Sequence, residues 1–215
     1  MVLSSVVVSL WLRDVVREAT FLGKHTRPVQ AGLRLGFVLF IVSEVFLFVS
    51  FFWAFFHAAL SPSVEIGALW PPLGISPLDP LALPLLNTAL LLSSGASVTW
   101  AHHAVLAGLR RSSLAGFVLT IIFGLLFLAC QAIEYNVAPF SISDSAFGSV
   151  FFLTTGFHGF HVVVGVVFLS VAAERLRRGH FSRTRHLGLE VGAWYWHFVD
   201  VVWLFVYSFF YWWGG

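Results

Sequence analysis

Residues 36–58 read GFVLFIVSEVFLFVSFFWAFFHA, an apolar run interrupted by a single carboxylate at Glu44. An apolar segment of about 20 residues is long enough to cross the hydrocarbon core of a bilayer as an α-helix. Four further runs of this kind lie at about 84–107, 115–133, 147–173 and 191–213. Of the 215 residues, 59% are hydrophobic and 10% are charged, whereas soluble domains carry about 25% charged residues. The sequence predicts an all-α integral membrane protein, with five full transmembrane helices in one helical bundle and a single membrane domain over 1–215.

The basic residues lie in three clusters between the apolar runs. The clusters are Arg13, Arg17, Lys24, Arg27 and Arg34; Arg110 and Arg111; and Arg175, Arg177, Arg178, Arg183 and Arg185. The loops between them, about 59–83 and 134–146, carry the acidic residues Glu65, Asp79, Glu134 and Asp144. Because an excess of Lys and Arg in alternate loops sets membrane orientation, five crossings place all three clusters on one side, here called the basic face. The other two loops then lie on the opposite side, the acidic face. This charge pattern indicates a membrane topology and no nucleic-acid surface.

The first apolar stretch, Met1 to Leu12, is too short to cross a membrane. It spans only about 18 Å as a helix, against about 30 Å for the hydrocarbon core. It also lacks the basic stretch that opens a signal peptide. We therefore expect residues 1–19 to form the end of an additional N-terminal helix whose beginning is missing from this chain.

Glu44 is the first candidate functional residue. An ionisable group inside a membrane helix costs at least about 2.5 kcal/mol on insertion scales, so it is a functional candidate by default. The alternative is structural: a neutral Glu44 hydrogen-bonded to Ser43 or to a neighbouring helix.

Two polar pairs in later helices are predicted to be structural. His197 and Asp200 are three residues apart and share a helix face, so each can satisfy the other inside the membrane. His158 and His161 have the same spacing, which also raises the possibility of a metal or haem site. Against a metal site, no Asp or Glu lies near the two histidines in the sequence. The nearby glycines Gly156, Gly159 and Gly165 instead indicate close helix packing, and we predict no metal ligand.

The basic clusters are candidates for binding lipid head groups. Basic pockets between helices bind anionic lipids, and the guanidinium fork of Arg can hold two phosphate oxygens. The candidate residues are Arg13, Arg17, Glu18, His25, Arg34, Arg175, Arg178 and His180. The alternative is that these residues only set topology.

Several motifs together resemble subunit III of haem-copper cytochrome c oxidases, in order along nearly the whole chain. They are RDVVREATF at 13–21, the segment 36–55 around Glu44, WPPLG at 70–74, PLLNT at 84–88, TWAHH at 99–103, QAIEY at 131–135, APFSISD at 138–144, GFHGFH at 156–161 and WYWHFVDVVW at 194–203. The combination is most similar to the mitochondrial and alphaproteobacterial branch.

The resemblance implies a non-catalytic core subunit of complex IV in the mitochondrial inner membrane, or in the cytoplasmic membrane of a bacterium. Haem a and copper would lie in partner subunits I and II, and this chain would hold no redox centre, cofactor or metal. It would bind phospholipids (cardiolipin, phosphatidylethanolamine or phosphatidylglycerol) in a cleft between its first helices and the rest, and would contact accessory subunits. Glu44 matches the family's intramembrane carboxylate, associated with proton uptake. The basic face would be the matrix side.

One departure from the family concerns the beginning of the chain. Seven-helix members start with a complete helical hairpin, so we expect a separate polypeptide to supply the missing N-terminal helices in a split subunit. Two other readings belong to different classes. One is a stand-alone proton carrier that uses Glu44 with His197 and Asp200, disfavoured because few polar residues connect Glu44 to either surface. The other is a small membrane cytochrome, disfavoured by the histidine spacing.

Overall fold

The computed structural model describes residues 2–64 and 67–215, and all regular secondary structure in them is helical. The helices are α1 Val2–Thr20, α2 Arg27–Leu60, α3 Leu83–Ala107, α4 Arg110–Val137, α5 Ser145–Arg177 and α6 Leu187–Val206, and α6 continues as a π-helical segment over Tyr207–Trp213. Met1 and Glu65, predicted to belong to the first helix and to an acidic loop, lie outside the described residues. The prediction of an all-α chain is confirmed.

The chain divides into two compact units, Met1–Phe40 and Ile41–Gly215. In the first unit, α1 is exposed along most of its length, and its apolar side chains include the exposed Leu3 and Trp11. The second unit contains the second half of α2, the helices α3 to α6 and the buried core. Large aromatic side chains such as Trp196, Trp203 and Phe127 are fully buried there.

Three helices are long and apolar enough to cross a membrane: α2, α4 and α5. The predicted spans at 84–107 and 191–213 coincide with α3 and with α6 plus its π-helical end. However, α3 and α6 are not among the helices that are both long and apolar enough to cross a membrane. The physical reason is their content of polar groups, for example Asn87 and Ser94 in α3 and Asp200 in α6, all of which are buried. The structure therefore does not support the count of five full spans.

The second and third basic clusters meet at one end of the second unit. Gly108 ends α3 with a left-handed backbone (φ 77°), so two residues connect α3 to α4. The helix α4 consequently begins at Arg110, before the predicted start near 115. The Arg110 side chain donates from Nε to the carbonyl oxygen of Leu176 (3.1 Å) and from Nη2 to that of Arg177. A cation is favourable at the carboxyl end of a helix, so Arg110 stabilises the end of α5.

Tryptophans of α6 pack against small residues of its neighbours. A Cβ built on Gly165 of α5 would lie 2.8 Å from the Trp196 ring, and one built on Gly124 of α4 would lie 2.6 Å from it. The prediction of close packing is therefore confirmed at Gly165. It is wrong at Gly159, where a Cβ would have no neighbour within 4 Å, and at Gly156, where it would meet only the Tyr135 hydroxyl at 3.9 Å.

Hydrogen bonds attach α6 to α3 and to the loop before it. Trp196 Nε1 donates to Ser94 Oγ (2.8 Å) and Trp203 Nε1 to Thr88 Oγ1 (2.9 Å). In the π-helical segment, the Tyr207 hydroxyl donates to the carbonyl oxygen of Pro80 (3.1 Å). These polar side chains are satisfied within the bundle, as the low dielectric of a membrane interior requires.

The packing of Trp196 predicts that Gly165→Ala destabilises the chain. The added methyl group would overlap the Trp196 ring, and overpacking of this kind costs about 1–3 kcal/mol. The matched control is Gly159→Ala on the same helix, where the methyl group meets open space and Ala favours the helix. Thermal unfolding in mild detergent should show a lower midpoint for Gly165→Ala alone. Equal midpoints for the two variants would contradict the packing described here.

Candidate functional site

Glu44 and His161 form a hydrogen-bonded pair in the second unit. Glu44 Oε2 lies 2.7 Å from His161 Nε2, and the exposed fractions of the two side chains are 21% and 7%. Both residues lie near the middle of their helices, α2 and α5. The helix α2 begins at Arg27, before the predicted start of its apolar run at Gly36.

The second nitrogen of His161 determines how many protons the pair holds. His161 Nδ1 lies 2.7 Å from the carbonyl oxygen of Phe157. A carbonyl only accepts, so Nδ1 carries a hydrogen. The contact with Glu44 then contains one proton, either as imidazolium and carboxylate or as neutral imidazole and carboxylic acid. The pair is electrically neutral in both forms, and the proton can move between them without a change of net charge.

Aromatic side chains surround this pair. The Phe48 ring centroid is 5.1 Å from that of His161, and the rings of Phe198 and Tyr195 are each 6.3 Å from it. Further along, α2 contacts its neighbours through pairs such as Phe55 and Phe210, whose centroids are 4.2 Å apart. The Glu44–His161 hydrogen bond therefore lies in an interface otherwise built of aromatic rings.

His158 has a hydrogen-bond partner of its own, distinct from that of His161. It is fully buried, and its Nε2 lies 3.2 Å from the carbonyl oxygen of Val199, so this nitrogen is the donor. Its ring packs against Trp203 and Phe127, with centroids 5.2 and 5.5 Å apart. The two histidines have different partners because α2 supplies Glu44 to one of them and α6 supplies a backbone carbonyl to the other.

His197 and Asp200 lie close together but without a direct hydrogen bond. His197 Nδ1 and Asp200 Oδ2 are 3.9 Å apart, beyond hydrogen-bonding distance. His197 instead donates from Nε2 to Thr99 Oγ1 (3.1 Å), whose own hydrogen goes to the carbonyl oxygen of Gly95 (2.9 Å). The buried Asp200 carboxylate faces Gly95, where a Cβ would come within 2.5 Å of Oδ2. The two residues of the predicted pair therefore lie 3.9 Å apart, and each also contacts α3.

A second buried carboxyl, Glu134, was predicted to lie in an acidic loop. The structure places it in the last turns of α4 with an exposed fraction of 1%. Gln131 Nε2 (3.0 Å) and the Tyr211 hydroxyl (2.5 Å) both donate to its Oε1, and Asn87 Nδ2 donates to Gln131 Oε1 (3.3 Å). The signal in the sequence that α4 continues through this position was the spacing of Gln131 and Glu134 on one helix face, with no proline between Gln131 and Pro139.

The lipid-binding candidates of the first unit are mostly exposed. Asp14 forms ion pairs with Arg13 (2.9 Å) and Arg17 (3.9 Å). Glu18 is exposed and His25 is half-buried, with its carbonyl oxygen accepting a hydrogen bond from Gln30. Arg34 is also half-buried in α2. The counter-ion Asp14 was not considered at the level of sequence.

The candidates of the second unit lie at the end of α5. Glu174 accepts hydrogen bonds from the Nε atoms of Arg177 and Arg178, both at 2.6 Å. The guanidinium of Arg175 lies 4.4 Å from the Phe181 ring centroid, a cation–π contact, and is half-buried. The backbone N–H of His180 donates to the carbonyl oxygen of Arg175 (3.0 Å). Arg178 is exposed, so its free N–H groups can reach an anionic ligand.

The chain has long apolar helices, paired charged groups within them and arginines at the helix ends. These features together define a helical integral membrane protein. The family model described as cytochrome c oxidase subunit III matches residues 1–215. Among curated proteins named cytochrome c oxidase subunit 3, that of Marchantia polymorpha is 59% identical over 206 residues, covering 96% of this chain and 78% of the relative. That of Prototheca wickerhamii is 56% identical over 209 residues (97% and 80%), and that of Cyprinus carpio 57% over 205 residues (95% and 78%).

The chain belongs to the cytochrome c oxidase subunit III family. It is accordingly a subunit of cytochrome c oxidase, the oxidoreductase of complex IV, and acts together with other oxidase subunits. The family resemblance expected from the motifs is confirmed.

The shared proton predicts that Glu44 and His161 are energetically coupled. His161→Leu removes one partner and leaves a charged or polar group buried without its hydrogen bond, which costs about 1–3 kcal/mol. Replacement of both residues by leucine removes the unpaired group, so the double variant should lose less stability than the sum of the two single variants. Denaturant unfolding of all four proteins in one detergent measures this coupling, and additive losses would mean that the pair does not form. Glu18→Gln, at an exposed site, is the control.

Proposed function

We propose that the chain is a non-catalytic, lipid-binding core subunit that stabilises the catalytic oxidase subunits and supports proton uptake during oxygen reduction. Haem a and copper are held by partner subunits I and II, with accessory subunits completing the complex. The observation that carries the proposal is the 2.7 Å hydrogen bond between Glu44 and His161, near the middle of two apolar helices of a chain in this family.

The proposed setting is the mitochondrial inner membrane, with the basic face toward the matrix; a bacterial cytoplasmic membrane is the alternative. All five of the helices α2 to α6 cross the bilayer in this proposal. For α3 and α6 it rests on helix length and on buried polar side chains that are bonded within the bundle, as in the Trp196–Ser94 and Trp203–Thr88 pairs. Such helices can cross a membrane although their composition is less apolar, because their polar side chains do not meet lipid.

The proposed ligands of the arginine clusters are phospholipid head groups. Within the first unit, Arg13, Arg17 and Arg34 supply positive charge, with Glu18 and His25 beside them. Within the second unit the corresponding residues are Arg175, Arg178 and His180. Guanidinium groups that share a carboxylate, as Arg177 and Arg178 share Glu174, keep free N–H donors for phosphate oxygens. Cardiolipin, phosphatidylethanolamine and phosphatidylglycerol all provide such oxygens.

Glu44→Gln tests the role of the shared proton. Glutamine keeps the size and the hydrogen-bonding capacity of the side chain but cannot titrate. The oxidase complex should therefore assemble normally, while its proton uptake slows during sustained turnover. The measurement is proton uptake by the purified complex in lipid vesicles, followed with a pH indicator over many turnovers. Uptake and operational lifetime equal to those of the unchanged enzyme would contradict a proton role for Glu44.

Arg17→Ala tests lipid binding in the first unit. The variant loses a guanidinium that can bind a head group, so the isolated complex should contain less phosphorus per haem. The control is Arg111→Ala, which removes an exposed charge of the second cluster that is not among the lipid candidates. Phosphorus assay and lipid mass spectrometry on the washed complexes measure the loss. An equal lipid content in Arg17→Ala and the unchanged complex would exclude this assignment.

A further inference from the structure

Glu134 is a buried carboxyl group that the proposed function does not use. It lies in the last turns of α4, and its two oxygens have different surroundings. Oε1 accepts hydrogen bonds from Gln131 Nε2 (3.0 Å) and from the Tyr211 hydroxyl (2.5 Å). Oε2 is buried and has no hydrogen-bond partner among the described residues. The protein therefore holds this carboxyl group by one oxygen.

A second buried oxygen in the same cluster lacks a donor. Asn87, near the start of α3, is fully buried, and its Nδ2 donates to Gln131 Oε1 (3.3 Å). Its Oδ1 has no hydrogen-bond partner in the part of the chain that the structure describes. Asn87 and Glu134 bond to the oxygen and the nitrogen of one side-chain amide, that of Gln131. The two oxygens without a donor thus belong to neighbouring groups.

The surroundings of this cluster are apolar. The Tyr211 ring centroid lies 5.4 Å from that of Phe151 and 5.9 Å from that of Trp203, and both of these side chains are buried. No Lys, Arg or His within the described residues forms an ion pair with Glu134. A buried carboxylate without a counter-charge is costly, so Glu134 must bind either a proton or a cation.

The difference between the two Glu134 oxygens favours the proton. A carboxylate is acceptor-only at both oxygens, whereas a carboxylic acid has one oxygen that accepts and one O–H that donates. Oε1, with two donors, matches the accepting oxygen of the acid, and Oε2 matches the hydroxyl. A divalent cation such as Ca²⁺ or Mg²⁺ takes about six or more oxygen ligands. Of the buried side-chain oxygens described for this cluster, only Oε2 and Asn87 Oδ1 are without a partner.

We propose that Glu134 is a proton-binding group, held as the neutral carboxylic acid, and that its Oε2–H donates to one buried water molecule. The water donates in turn to Asn87 Oδ1. Water fits because it both accepts and donates, and buried waters typically make about three hydrogen bonds to such polar groups. Together with the Tyr211 hydroxyl, this site joins α3 and α4 to the π-helical segment Tyr207–Trp213. Short π-helical segments are frequent at functional sites.

Infrared spectroscopy of the full chain in mild detergent tests the proton on Glu134. Exposed carboxyl groups are ionised at neutral pH, so the C=O stretch of a carboxylic acid reports a buried protonated group. The spectrum of the unchanged chain minus that of Glu134→Gln should contain one such band. The matched control is Glu18→Gln at an exposed site, where the difference should contain carboxylate bands instead. Loss of carboxylate bands in Glu134→Gln as well would overturn the proposal.

Unfolding midpoints distinguish a bound proton from a bound cation. Glutamine has the shape of the neutral acid, accepts at Oε1 and donates from Nε2, so Glu134→Gln should unfold at the same midpoint as the unchanged chain. Glu134→Leu removes these hydrogen bonds and should lower the midpoint. Both are measured in NaCl, KCl and choline chloride at one ionic strength. Stabilisation by Na⁺ or K⁺ that is lost in Glu134→Gln would overturn the proton in favour of a monovalent cation.

Cryo-electron microscopy of the assembled oxidase tests the water without any variant. Density for one water should lie within about 3 Å of both Glu134 Oε2 and Asn87 Oδ1. A direct contact between these two oxygens, or a basic side chain of a partner subunit on Oε2, would overturn the water-bridged site.

Discussion

The hydrogen bond between Glu44 and His161 is the interaction on which the arrangement of the second half of α2 depends. Both side chains lie near the middle of long apolar helices, where no water is available to solvate them. A carboxyl group there is tolerated only with an internal partner, and the imidazole supplies one at 2.7 Å. The aromatic rings around the pair pack against it but do not by themselves specify one orientation of α2. The hydrogen bond therefore selects the rotation of α2 about its axis that brings Glu44 to α5.

The same constraint explains the buried polar groups of the core. His158 donates to the Val199 carbonyl, and the indole N–H groups of Trp196 and Trp203 donate to hydroxyls of α3. Each bond attaches α6 to a neighbouring helix at a different height. Polar residues lower the apolar character of α3 and α6 in the sequence, yet in the bundle they connect these helices. At the helix ends, Arg110 likewise satisfies backbone polar groups, because it donates hydrogen bonds to the terminal carbonyl oxygens of α5.

Much of this architecture could be predicted from the sequence, because long apolar runs between charged turns specify helices directly. Helix type, the order of the helices and the family follow from such local patterns. The partners of the polar residues could not be predicted in this way, because the two members of a pair lie far apart in the chain. Glu44 and His161, for example, are separated by 117 positions. For Glu44 a neighbouring helix was among the predicted partners, whereas the histidines were paired within one helix. The His197–Asp200 contact is present at 3.9 Å, but His158 and His161 form hydrogen bonds with α6 and α2. Glu134 was predicted to lie in a loop because the apolar run ends at about 133, whereas Tyr211 and Gln131 donate hydrogen bonds that hold it inside the bundle. Close packing was also predicted at Gly159 and is not found there, because a glycine allows close packing only where another helix lies beside it.

The most direct test of this account is the distance between Glu44 and His161 in the assembled oxidase. Cryo-electron microscopy of the complex in a lipid environment, at a resolution that places side chains, measures it. The account predicts His161 Nε2 within about 3 Å of a Glu44 carboxyl oxygen, the length of a hydrogen bond, with His161 Nδ1 on the Phe157 carbonyl. Side chains separated by a lipid tail, or a Glu44 turned toward another subunit while His161 binds elsewhere, would contradict it.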